Sequence, residues 1–466
     1  MTPSPAIESL TLTQAAALLA AGECNSMELV DAVLGRIQMT EGVLHAFATV
    51  DAEAAREQAR LADETRASGP LLGPLHGLPI AIKDVIDTRD LATECGSRLL
   101  RGRVPNADAT VVARLRRGGA VILGKTVTKE FATGSSLPKT KNPWDPECFP
   151  GGSSAGSGAA VAAGSALAAL GSDSGGSIRQ PSSLCGVVGL KPTYGRVSRH
   201  GVFPQGSSMD QVGPMTRTVA DCGILLGAIA GHDPLDPTSS AEPVPDYTSA
   251  PEEPASAIRL GVIQAGKDPN CDPDVAAGVS GALDELAVLG MTLVPIEMPA
   301  PEVAIPAAYT ILMADQAAAH RNWMTTRSPS DYEEGTWRFL VASSLLPAMH
   351  LQAAHRVRRA IAAEVARMFR DASLDALAIP TLPTTAMPLA DLGASSYDTT
   401  QFARYTVTAN LTGLPALSVP CGFSPRGLPI GLQLVGRPFG EIDLLRIGHF
   451  YETATDWHTR HPSLGS

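Results

Sequence analysis

The stretch GSDSGGSIRQP, residues 171–181, sets Ser177 in a run of small residues where a backbone can turn tightly. A serine so presented could attack a carbonyl carbon, but it needs a base. The nearest histidines along the chain, His76 and His200, are far away in sequence. A lysine can activate a serine if it is neutral. Lys83 ends the apolar run PIAIK, and burial in such a strand disfavours the ammonium form. A second serine, from GGSSAGS at 151–157, could relay the proton between them. The consecutive amides of Ser174, Gly175, Gly176 and Ser177 then offer an oxyanion hole, with glycines that let the carbonyl oxygen come close. Each part alone has a bland account: a lone lysine after a strand is usually solvated, and Gly/Ser runs are usually turns. The combination points to acyl transfer from an amide or a related carbonyl compound.

Two shorter patterns compete and lose. GAVILGKT (119–126) fits a phosphate-binding loop, but its middle residues Ala, Val, Ile and Leu favour a buried strand over a glycine-rich cradle. GSSAG (152–156) fits a nucleophile elbow centred on Ser154. That elbow needs a hydrophobic strand before it, and NPWDPECFP, with its prolines, cannot form a central strand.

The residues around these motifs suggest what positions them. SMELVDAVLGRIQ (26–38) reads as a helix with Ser26 as N-cap and Glu28 in the first turn. LHAFATVD is a short strand candidate, followed by the helix AEAAREQARLADETRA. GLPIAIKDVID (77–87) turns into an apolar strand that ends near Lys83, and DATVVARLRRGGA is a helix closed by Gly118 and Gly119. AVILGK is a buried strand. The Gly/Ser-dense segment 133–185 also contains AAVAAGSALAAL, Trp144 and Phe149, so it reads as packed core rather than a flexible linker. EPVPDYTSAPEEP (242–254) resembles a linker, with four prolines and no lysine or arginine. Beyond it, IRLGVI, DALAIP, ALSVP and PIGLQLV read as strands. Asp272-Pro273 opens a helix with Val275, Val279, Leu283 and Leu286 on one face. HLQAAHRVRRAIAAEVARMF and EIDLLRIGHFYETA are further helices. Strands and helices alternate on both sides of 242–254, which suggests one mixed α/β sheet.

Composition narrows the class. The 466 residues are 44% hydrophobic and 18% charged, as in an ordinary globular protein, and the formal net charge is −11. That balance argues against a nucleic-acid-binding surface. The first basic residue is Arg36 and no apolar run reaches the length of a membrane span, so no secretory signal and no membrane association are expected. The seven cysteines show no CxxC spacing and read as reduced thiols of a cytoplasmic protein without a zinc site.

GLPIAIKD, TKNPWDPECFPGGSSAGSGAAVAAG, GSDSGGSIRQPSSLCGVVGLKPTYGRVS and SSMDQVGPMTRT resemble, in order, the sequence blocks of the amidase signature family, over roughly residues 75–220. NLTGLPALSVPCGF and GLPIGLQLVG resemble its C-terminal blocks. The resemblance implies one α/β domain over 1–466, a mixed sheet with helices on both faces, and a surface loop at about 242–256. It implies a triad with Lys83 as base, Ser153 as bridging serine on a non-proline cis peptide, and Ser177 as nucleophile. The implied oxyanion donors are the amides of Ser174, Gly175, Gly176 and Ser177. Phe131 and Thr133 correspond to positions lining the acyl site, and Asp173 and Arg179 to supports of the loop. Neither metal nor cofactor is implied.

Within the family, the core is similar to that of the glutamine-hydrolysing A subunits of tRNA-dependent amidotransferases. Those hold glutamine through an arginine and an aspartate. Here the matching region, GTWRFLVASSLLPAMHLQAAHRVR, lacks the expected Tyr pair, Arg338 is spaced differently, and Ala403 falls where the aspartate is expected. Phe339, Leu340, Leu345, Leu346 and Met349 offer an apolar replacement. The expectation is therefore a stand-alone amidohydrolase for a small apolar or aryl amide, carbamate or ester. It would work without nucleic acid or membrane, and as a homodimer if it assembles. The glutamine-hydrolysing component of an amidotransferase is the alternative.

Overall fold

A computed structural model describes residues 9–69, 71–133, 137–249, 254–393 and 399–464. Its centre is an eleven-stranded sheet. In chain order the strands are β1 (Phe47–Val50), β2 (Pro79–Lys83), β3 (Val121–Thr126), β4 (Ala168–Asp173), β5 (Val188–Lys191), β6 (Gln211–Thr216), β7 (Arg259–Val262), β8 (Thr292–Pro295), β9 (Ala376–Pro380), β10 (Ala416–Phe423) and β11 (Pro429–Gly436). They lie in the order β1-β3-β2-β4-β6-β5-β10-β11-β9-β7-β8. Parallel pairs β3/β2/β4 and β9/β7/β8 flank an antiparallel centre, so the sheet is mixed. Strands from both sides of the proline-rich 242–254 segment enter this one sheet. Glu242 and Pro243 are held through their carbonyls by Arg196 Nη1, at 3.0 and 2.9 Å.

The strands that carry the motifs are buried on both faces. β2, β3 and β4 are buried along their whole length, which matches their near-continuous apolar sequences. GAVILGKT is thus a strand, and Lys125 within it donates to Thr93 Oγ1 at 2.7 Å and to the Ile86 carbonyl. The helix Ala155–Ala162 is buried at every position. Its small residues have a steric cause: a Cβ on Gly156 would lie 2.2 Å from the Ala46 carbonyl oxygen and 2.4 Å from the Val127 nitrogen.

Local expectations mostly coincide with elements, with several differences. The helix Ser26–Leu44 is capped by Asn25 rather than Ser26: Glu28 N–H donates to Asn25 Oδ1 at 2.8 Å and Asn25 N–H to Glu28 Oε2 at 2.9 Å. The helix Pro301–Thr326 has Pro306 inside it, which hides it from a periodicity reading. β5, β6 and β8 are short strands that a sequence reading passes over. Among the described residues, no helix is long and apolar enough to cross a membrane.

Candidate active site

β2, flanked by β3 and β4, ends in Lys83, which has no solvent exposure. Its Nζ donates to Ser153 Oγ at 2.7 Å and to Ser172 Oγ at 2.9 Å. Ser172 belongs to β4, the parallel neighbour of β2, so the register of two strands fixes the lysine from one side. Ser153 comes from the turn before the helix Ala155–Ala162, and the Gly152–Ser153 peptide bond is cis. Gly151 enters that turn with φ +89°, where a Cβ would lie 2.5 Å from Pro181 Cα, so glycine is required. Burial pushes the Lys83 ammonium down to about 7, against the opposing pull of Asp173 and Asp210.

Ser177 stands at the end of the loop that leaves β4. Its carbonyl accepts from Ser154 N–H at 3.2 Å, which ties the two serine-bearing loops together. The loop is clamped from behind by a buried ion pair. Arg179 Nε and Nη2 each donate to Asp173 at 3.0 Å, and the remaining guanidinium bonds reach Thr406 O, Gln433 Oε1 and Asn410 Oδ1. Burial opposes ionisation of Asp173, but Arg179, Lys191 and Asn410 outweigh it and hold the carboxyl below the usual range. Thr406 Oγ1 donates to the Gly175 carbonyl at 2.7 Å, which orients the Gly175–Gly176 peptide.

The amides expected to hold an oxyanion are not equivalent. Gly176 N–H donates to Asp173 Oδ1 at 2.7 Å and is thereby committed to the loop's own support. Gly175 and Ser177 line the cavity in front of Ser153. Ser174 is buried, and its hydroxyl faces Gln205 Oε1 at 2.8 Å and the Asp210 carboxylate. Ser154, the centre of the rejected elbow, is fully buried and engages the Ser172 backbone at 3.2 Å through both its donor and acceptor functions.

The cavity holds about 300 Å³. Phe149, Leu312, Phe339 and Phe402 form apolar walls, and Thr133, Gln180, Gln205 and Tyr309 add neutral polar groups. Thr133 therefore lies at the site. Phe131 does not: it is fully buried in an aromatic cluster, with ring centroids 4.8 Å from Phe203 and 4.5 Å from His320. Its φ of +50° turns it away from the cavity that Ala132 and Thr133 line. Of the apolar residues expected to shape the pocket, only Phe339 does so. Leu340 is core, while Leu345 and Met349 are 75% and 71% exposed. Arg338 pairs with Glu334 on the surface, and Ala403 is buried core. Lys129, which no sequence motif singles out, lines the cavity beside Gly152. Ser172 is likewise unexpected as a second partner of Lys83; its place in SDSGGS, on the strand next to β2, is the signal that could have found it.

The sheet and these serine-bearing loops belong to a known class: the amidase family's sequence model matches residues 28–445, and the chain is a member of the amidase family, with one α/β amidase domain. Among relatives, the A subunit of glutamyl-tRNA(Gln) amidotransferase from Roseiflexus sp. (strain RS-1) is 44% identical, covering 98% of this chain and 99% of the relative. The crystal structure of the A subunit of glutamyl-tRNA(Gln) amidotransferase from Thermotoga maritima superposes with a TM-score of 0.81 at 36% identity, over 97% of this chain and 96% of that one. An inhibitor-bound structure of a vestigial protein complex, described as revealing the evolutionary origins of an s-triazine catabolic enzyme, superposes with a TM-score of 0.88 at 32% identity, over 95% of this chain and 98% of that one.

These relatives overturn the expectation of a free-standing enzyme for apolar amides, and with it that of no protein or nucleic-acid partner and at most a homodimer. Near-full-length relatives at this identity are, by name, subunits of a glutamyl-tRNA(Gln) amidotransferase. The expectation fails for a physical reason. It judges glutamine binding from the positions of Arg338 and Ala403, neither of which lines the cavity, so their identities carry no information about the substrate.

Proposed function

We propose that this chain is the glutamine-hydrolysing component of a tRNA-dependent amidotransferase, in which Lys83, Ser153 and Ser177 form the reacting triad. The observation that carries the reading is the 44% identity, over 98% of the chain, to the A subunit of a glutamyl-tRNA(Gln) amidotransferase. The 2.7 Å contact between Lys83 Nζ and Ser153 Oγ supports the chemistry. Ser177 Oγ attacks the side-chain carboxamide carbon. Its proton moves to Ser153 as Ser153 passes its own to neutral Lys83. The oxyanion is held by the amides of Gly175 and Ser177, since that of Gly176 is engaged with Asp173 at 2.7 Å. The tetrahedral adduct collapses as Ser153 protonates the leaving nitrogen and recovers a proton from Lys83. Ammonia departs and leaves an acyl ester on Ser177. Water then enters, loses its proton along the same path, and releases glutamate. The ammonia passes to the other subunits, which amidate the glutamyl group on tRNA. The protein works in the cytoplasm, and residues 1–466 form one domain.

The test is co-expression with the remaining amidotransferase subunits of the source organism. Co-elution of a complex that makes Gln-tRNA from Glu-tRNA and glutamine, abolished by Ser177→Ala in this chain, is the expected result. A chain that elutes alone and releases no ammonia from glutamine under any of these conditions refutes the reading.

A further inference from the structure

Among the described residues that line the reacting cavity, Lys129 is the one that carries a formal charge. It precedes the short helical turn Glu130–Ala132. Its stem runs along the residue before Ser153: a Cβ built on Gly152 would lie 3.0 Å from Lys129 Cε. Its Nζ sits 5.6 Å from the centroid of the Phe149 ring, another cavity wall. Among the described residues, no carboxylate neutralises it. The adjacent Glu130 is turned the other way, accepting from Ser97 Oγ at 2.6 Å and from Glu333 N–H at 2.9 Å. Burial alone pushes the Lys129 ammonium down, to about 8, and no neighbouring acid raises it. A cation held among apolar and neutral polar walls without a counter-charge is unfavourable, and a charge-assisted hydrogen bond to an anion would relieve it.

We propose that Lys129 binds a carboxylate of the substrate and so selects amides that carry a negative charge close to the scissile carboxamide. In the glutamine-hydrolysing reading, on which only the identity of the group rests, this is the α-carboxylate of glutamine. The charge requirement itself comes from the cavity. It also supplies what the positions of Arg338 and Ala403 could not, a charged contact within the pocket.

The test compares glutamine, glutaramate (a carboxylate and no ammonium) and glutaramide (the neutral isostere of glutaramate) as substrates of the full chain, together with any subunits that co-purify. In wild type, kcat/KM for glutaramate should exceed that for glutaramide. In Lys129→Met the ratio of the two should fall about 10- to 100-fold, the range for losing a hydrogen bond between charged groups, and Lys129→Arg should restore most of it. A ratio that stays within about twofold of wild type in Lys129→Met overturns the proposal, whatever the absolute rates. Glutaramate cleaved with the expected Lys129 dependence, but glutamine not cleaved, leaves Lys129 as a carboxylate reader and removes glutamine as the substrate. If turnover of every amide is lost in Lys129→Met, calorimetry on the Ser177→Ala protein with and without Lys129→Met decides. Weaker binding of glutaramate but not of glutaramide upholds the assignment, and equal binding refutes it.

Discussion

If Lys83 is the base, activity must follow its deprotonation. Burial brings its pKa to about 7, so roughly half the molecules hold the neutral amine at neutral pH. Below that, kcat/KM for glutamine should fall about tenfold for each pH unit, to about a tenth of its plateau at pH 6. An ordinary lysine, near pKa 10.4, would instead give a rate still climbing at pH 9. The same shift predicts what replacing the lysine does to stability. A base whose pKa is lower in the fold than in the unfolded chain destabilises the fold, by an amount that shrinks as pH rises from about 7 to about 10.4. At pH 7 the difference corresponds to roughly 4 kcal/mol, an upper figure for a fully buried amine. Lys83→Met removes that penalty. It also removes the bonds to Ser153 and Ser172, worth about 1 kcal/mol each. The variant should therefore be inactive yet at least as stable as wild type at pH 7, and its advantage should vanish by about pH 10. Lys83→Arg should be inactive as well, because a guanidinium stays protonated. The assays are ammonia release from pH 5 to 9 and urea unfolding at pH 7 and pH 9.5. A flat rate from pH 5.5 to 8, or a Lys83→Met protein with wild-type kcat, refutes this account of Lys83.

Other consequences can be measured on the same protein. Ser177→Ala should lower kcat by several orders of magnitude, and a fluorophosphonate should label Ser177; labelling of Ser154 would reverse the assignment. If Lys129 reads a carboxylate, kcat/KM for glutaramate should decline as pH rises through about 8, where its ammonium is lost, while glutaramide keeps the plateau. Lys83, behind Ser153, is deprotonated by then, and Glu130 is turned away from the cavity and held by Ser97 and Glu333, so neither mimics the decline. Asp173→Asn leaves the buried Arg179 without its counter-charge and should destabilise the chain by about 3–5 kcal/mol, read by denaturant unfolding. Gly156→Ala should destabilise by at least about 1 kcal/mol, because its methyl would meet the Ala46 carbonyl at 2.2 Å.

The residues proposed to react could be picked out because each sits where the chain has little freedom. Lys83 closes an apolar strand, and in a strand buried on both faces a charged residue calls for an explanation. The Gly/Ser blocks read as core because their glycines alternate with apolar runs, and Gly156 is packed against backbone as that reading requires. Capping was less legible: Asn25 and Ser26 are both good caps, and only the reciprocal bond to Glu28 chooses between them. β6 carries Gly213 and Pro214 in place of a clear alternation, so its position between β4 and β5 is a property of the sheet and not of its own residues.

Substrate choice was the part that could not be read, and the reason lies in how the cavity is assembled. Its walls come from the turn after β3, the loop before Ser153, the helices Pro301–Thr326 and Glu334–Ser344, and residues near Phe402. A helix offers only one face to the pocket, so Phe339 lines it while Arg338, one residue earlier, points to solvent with Glu334. Reading specificity from a stretch such as WRFLVASSLL requires that rotation, which the sequence does not carry. Lys129 escaped notice for the converse reason. A single lysine between a strand and a turn is ordinarily solvated, and nothing near it in sequence tells that its stem will lie against Gly152. The proposed triad is thus set by local sequence. What the enzyme accepts is set by which side chains distant segments turn inward, and here these include Lys129, which no carboxylate among the described residues neutralises.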